Sequence, residues 1–443
     1  MLRDRQGHPM TGATMASADA YDRAIDAFNV YRGDPLALLD EALAEAPAHV
    51  MALLARAELL ALATEPAASV AAAAVADALA TLSLNDREAS HLAALRHLLD
   101  GEWTRAAVAL DLHGMRWPRD LLALQVGHLL DFYRGSARDL RDRVARGLPA
   151  WDGDVPGRGI VVGMHAFGLE ECGDYARAED AGRAAIDADP RDCWAHHAVA
   201  HVMEMQGRAQ DGIGWMLARQ PWWADDSNFF KVHNWWHRAL CHLDLGQTGF
   251  VLDLYDSAIR GTPSTVALDL VDASALLWRL TLTGVDVGGR WGEVADAWQQ
   301  HADGKLYPFN DWHAAMACLG AGREPELARL RAEMRRTAEG SNEVAAWTGA
   351  VGLPLVDGFA AFHRGDHAAA VELLHPVRYV AARAGGSHAQ RDIIDWTLAE
   401  AALRGGMADL ARALTAERAA LKPHSPVIRD MVGRAATLQP APV

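Results

Sequence analysis

From about residue 18 to about residue 435, apolar and small residues return every three to four positions, and short Gly-containing breaks divide the chain into helix-length stretches. The breaks follow one grammar. In GDYARAEDAGRAAIDADP, the turn residue Gly173 is followed by Tyr175, by the small residues Ala178 and Ala185, and by Pro190. Gly101 repeats the pattern with Trp103, Ala106 and Pro118. Gly365 does so with His367 and Ala370, and Gly406 with Ala411 and Pro423. Gly135 and Gly207 each stand 34 residues beyond an earlier turn glycine, Gly101 and Gly173.

A recurring period of this length is the mark of a helical repeat, and the spacing resembles the turn and second helix of a tetratricopeptide repeat. Small residues there let two helices approach, and proline ends the second. The expected fold class is all-α: an α-solenoid, or superhelix, of tetratricopeptide-like helix–turn–helix hairpins, curled enough to enclose a central cavity. An N-terminal block of helical hairpins, 18–150, is expected to continue into the repeats of 151–435 as one solenoid. WDGDVPGRG (Trp151–Gly159) is the soft boundary between them.

Composition agrees with packed helices. Hydrophobic residues make up 51% of the 443, and only 18 prolines interrupt them. The net charge of -16 argues against nucleic acid or an anionic membrane as a partner. The first residues lack an apolar core of signal-peptide length, and the longest apolar run, AAAAVADALA, is short and broken by Asp77. Four cysteines without a CxxC pair suit a reducing compartment, so a cytoplasmic location is expected.

Candidate chemistry lies on the first helices of the hairpins, which line the concave face of such a solenoid. His197 and His201 precede the turn at Gly207, His233 and His237 precede Gly246, and His313 precedes Gly322, all at similar heights. His233 and His237 share a helix face, as do His197, His201 and Glu204. These histidines are the expected acid, base or ligand groups, with Glu204 and Asp311 orienting or polarising them. Asn234, Trp236, Asp272, Trp278, Arg279, His388, Arg391 and Asp392 are the expected substrate contacts. Arg279 or Arg391 would take an anionic group, and Trp236 or Trp278 would flank an apolar one.

Plainer roles compete with these. Ser387 and Gln390 fit a capping box, Asp311 fits an N-cap, and the tryptophans fit core packing. Paired histidines four apart are a common metal geometry, which makes His197, His201, His233 and His237 the ligand set if a metal is present. The competing reading is a neutral histidine network bonded to Asp, Asn or backbone. No phosphate-cradling loop, serine-hydrolase elbow or HExxH is present.

The strings AHHAVAHVMEMQGR, NFFKVHNWWHRALCHLDLG, DASALLWRLTLTGVDVGGRW, FNDWHAAMA and SHAQRDIIDWTL resemble the tetratricopeptide repeat protein 38 family, from about residue 160 to about 405. The resemblance implies a helical, intracellular repeat protein and brings no assigned activity. Placement therefore sets the functional expectation. It is a small molecule bound in a concave pocket lined by His, Trp and Asp, and transformed by acid–base chemistry of hydrolase or lyase type. One alternative is a scaffold that takes a peptide or protein partner in the same groove, and the other is a histidine-held metal centre. No cofactor is expected beyond that divalent metal, and homodimerisation through groove ends or outer apolar patches is left open.

Overall fold

The computed structural model describes residues 1–439. Among them every regular element is a helix, and extended pairing is limited to two isolated bridges, Arg3 with Pro9 and Arg32 with Asn228. The chain is an all-α repeat protein of tetratricopeptide-like hairpins.

The turn grammar has a direct physical basis. Gly173 and Gly207 sit at φ 77° and 66°, the left-handed region where a Cβ would be strained, and the other turn glycines behave alike. The small residue five positions past the turn is where the two helices touch. Ala106, Ala178, Ala370 and Ala411 are each 0% exposed, so a longer side chain there would force the helices apart.

Compactness groups the residues into two units: 1–199 with 221–231, and 200–220 with 232–443. In the first unit, Met15–Val30 packs on Pro35–Glu45, Val50–Leu62 on Pro66–Leu79, Asp86–Leu99 on Trp103–Arg116, and Arg158–Glu171 on Tyr175–Ala188. The stretch WDGDVPGRG runs from the end of Leu148–Ala150 into the start of the helix Arg158–Glu171, inside this unit. Its core holds an aromatic cluster in which Trp194 packs on Tyr31, Phe167 and Phe230.

The first unit also buries charge. Asp120 Oδ2 accepts from Arg87 Nε at 2.5 Å, His91 Nε2 at 2.9 Å and His113 Nε2 at 3.0 Å. His91 Nδ1 donates to Glu58 at 2.8 Å, and Arg87 also pairs with Asp4 at 3.0 Å, tying down the N-terminal segment.

In the second unit, Ala267–Leu282 packs on Arg290–Trp298, Pro308–Gly320 on Glu324–Ala338, Leu353–His363 on His367–Val377, and Ala408–Leu421 on Pro426–Thr437. First helices stack as well: Ala267–Leu282 lies against both Pro308–Gly320 and His388–Arg404. Glu343–His363 is long and apolar enough to span a membrane by length and composition, but 67% of that window is buried within the fold.

Candidate metal centre and cavity of the second unit

Three helices position the site. The end of Cys193–Met205 supplies His201 and Glu204, Lys231–Asp244 supplies His233 and His237, and Ala267–Leu282 supplies Asp272. A close approach holds the middle helix in place: a Cβ on Gly212 would meet the Cys241 sulfur at 2.8 Å, so only glycine lets Ala209–Trp223 lie this near.

The side chains form a chain of contacts. Glu204 Oε2 accepts from His237 Nδ1 at 2.9 Å, and Asp272 accepts from His233 Nδ1 at 2.9 Å. The two rings then face each other through their other nitrogens, Nε2 to Nε2, at 3.1 Å. His201 joins them, its ring centroid 4.4 Å from that of His237. One ring nitrogen from each of the three histidines lies within 4.8 Å of the others.

This arrangement sets the tautomers. An ionised carboxylate only accepts, so each Nδ1 carries a proton and the two Nε2 atoms are left to face each other. Two bare Nε2 atoms at 3.1 Å would repel, so a cation belongs between them, either a proton or a metal ion. Nitrogens on one tetrahedral ion with bonds of about 2.0–2.1 Å would be roughly 3.3 Å apart, close to the separation found. Burial raises the Asp272 carboxyl above its ordinary range, an effect that contact with His233 only partly offsets.

The buried histidines of the first unit make an instructive contrast. Both nitrogens of His91 and of His113 are satisfied by carboxylate or hydroxyl oxygen, and Arg87 shares the same Asp120 oxygen. No inward lone pair is left there, and a guanidinium already supplies the positive charge.

Glu204 connects the histidines to a cavity. Its Oε1 lies 3.8 Å from Lys422 Nζ, which donates to Asp244 at 2.7 Å. Burial opposes the Lys422 charge, but Asp244 and Glu204 outweigh it and hold the ammonium protonated above the usual lysine range. The half-open cavity beside them has a volume of about 300 Å³ and is lined also by His388, Arg391 and Asp392. Asp392 is bound by both terminal nitrogens of Arg418, at 2.9 and 3.1 Å. Although burial would raise its carboxyl, Arg418 and Lys422 hold it at about 2.

The other expected residues are buried. His197, one turn before His201, belongs to the first unit, where its ring packs on Phe167, Trp194 and Phe230. Trp236 is 0% exposed and lies between the His233 ring and the Arg279 guanidinium, so it is core and not a groove wall. Trp278 is also core, donating to Thr397 at 3.0 Å. Arg279 is 1% exposed and donates to the Ala389 carbonyl at 2.7 Å, which ties two helices together and leaves it away from an incoming anion.

Asn234 is fully buried, and neither end of its amide has a hydrogen-bond partner among the described residues. His313 donates through Nδ1 to the Phe309 carbonyl at 2.8 Å, and burial pushes its pKa down to about 3, so it is a neutral core histidine. Asp311 is neither an N-cap nor a histidine orienter. Tyr307 occupies the N-cap, and the Asp311 carboxylate folds back to accept from the Gly304 N–H at 3.0 Å. The capping box at Ser387 and Gln390 is present. Lys422 and Arg418 had no spacing signal, because both lie on a second helix or just past its end.

No family model matches the chain. Among solved structures it is similar to the APC/C hetero-tetramer Cut9–Hcn1, with 15% identity, a TM-score of 0.43, and coverage of 95% of this chain and 76% of that one. It is also similar to yeast Tom70, with 13% identity, a TM-score of 0.38, and coverage of 95% and 88%.

Proposed function

We propose that the second unit binds a divalent transition-metal ion on His201, His233 and His237, and that the protein uses it for acid–base chemistry of hydrolase or lyase type on a small molecule. The observation that carries this reading is the convergence of His233 and His237 through Nε2 at 3.1 Å, each ring backed at Nδ1 by a carboxylate. Metal-binding histidines are held this way, since the carboxylate fixes the ring and raises its basicity. The third imidazole favours a metal over a single shared proton, because a proton needs only two bases. Three imidazoles around one divalent ion make a Lewis-acid centre with room for water or substrate.

Elemental analysis tests the reading. The wild-type protein, loaded with zinc and desalted, is compared with His233→Ala/His237→Ala shown to be folded by circular dichroism. About one metal per chain in the wild type and its loss in the variant are expected. An empty wild type, or equal metal in both, overturns the proposal.

A scaffold for a peptide segment is the second reading, favoured by the repeat fold itself, which builds extended binding surfaces. It requires no metal, and because the partner would lie in the same groove, the double substitution would weaken its capture. We also propose membership of the tetratricopeptide repeat protein 38 family, on the strings HNWWH and SHAQRD.

A further inference from the structure

We infer that the cavity beside Glu204 is a binding site for a small zwitterion with an apolar body, of the class of a free α-amino acid or dipeptide. This goes beyond the metal reading and does not depend on it, because the cavity lies on the Nδ1 side of His237, away from the converging nitrogens.

Charge is the first argument. Three cations of the wall are already paired with carboxylates, Arg418 on Asp392, Arg378 on Asp395 at 2.6 Å, and Lys422 on Asp244, while Arg391 donates to the Gly386 carbonyl. A purely anionic ligand would face Glu204 and Asp395 as well as the cations, and would leave displaced carboxylates unpaired. A ligand carrying both charges can exchange with such pairs, its ammonium against Glu204 or Asp395 and its carboxylate against Arg391 or Lys422.

Size and apolar surface are the second. A cavity of about 300 Å³ is at the small end for ligand pockets and corresponds to roughly ten water molecules. That suits one or two amino acids. Tyr379 and Leu421, 72% and 58% exposed, stand at the cavity and offer an apolar side chain a surface to cover.

Isothermal titration of the full chain tests this, with leucine and leucyl-leucine as probes, and N-acetyl-leucine and leucinamide as analogues that each lack one charge. The titration is run with chelator and again with zinc, so that loss of the metal centre does not mask binding. Measurable affinity for leucine or its dipeptide is expected in both conditions, with each capped analogue at least tenfold weaker. Tyr379→Ala, at an exposed position that leaves folding intact, should weaken the parent probe several-fold. Absence of binding by either zwitterion, binding of either capped analogue as tight as its parent, or full affinity in Tyr379→Ala would overturn the inference.

Discussion

His233 and His237 present their Nε2 atoms to each other at 3.1 Å, while Asp272 and Glu204 hold the opposite sides of the two rings. The carboxylates are therefore part of the device. Asp272→Asn and Glu204→Gln each keep an acceptor for Nδ1–H but remove the charge. Each should weaken metal binding by about 10–100-fold in a competition titration, without changing the circular dichroism spectrum. Unchanged affinity in both would mean that the rings do not converge on a metal.

The charge network of the first unit predicts a pH dependence. Burial opposes protonation of His91, but Glu58 and Asp120 outweigh it and raise its pKa from 6.5 to about 10. A folded pKa above the unfolded one gives stability that is complete below pH 6.5 and lost as the pH rises through about 10. Asp120 runs the other way. Arg87 and His91 overcome burial and hold its carboxyl well below 3.8, so its contribution is lost on acidification. Denaturation of the wild type from pH 6 to pH 10 should show a steady fall in stability at the alkaline end. His91→Gln should flatten that slope, and a flat wild-type profile would count against the network.

Helix contact predicts two packing effects. Ala178→Leu inserts a side chain at a position with no exposed surface and should cost about 1–3 kcal/mol in urea denaturation. Gly320→Ala places a Cβ 2.3 Å from the Trp291 ring and should cost at least as much. Val108→Ala, at a 52% exposed position on a second helix, should stay within about 0.5 kcal/mol. Equal effects at all three positions would refute the close-approach account.

The repeat period explains what the chain disclosed about itself. Glu204 and His237 are 33 residues apart, as are Glu58 and His91, and Arg87 and Asp120. One repeat carries a residue to the same height on the neighbouring hairpin, so counting a period foretells which polar groups meet. That is why Glu204, His201, His233 and His237 were readable as one group. The period says nothing about contacts between residues far apart in sequence, such as Lys422 with Asp244, separated by 178 residues. It also cannot tell a groove wall from a core, because both lie on the first helix. Trp236, Trp278, Arg279 and His313 fell on the right face and were buried by the helices stacked over it. Asp311 had the residue type of a cap, but Pro308 starts the helix early and places it inside the first turn.

The most direct test of the metal centre is anomalous diffraction from crystals of the zinc-loaded protein, collected on both sides of the zinc edge. One strong peak is expected, about 2.0–2.1 Å from Nε2 of His233, Nε2 of His237 and a ring nitrogen of His201. No peak there, with the two Nε2 atoms still in direct contact, would contradict this and leave a proton as the cation between the rings.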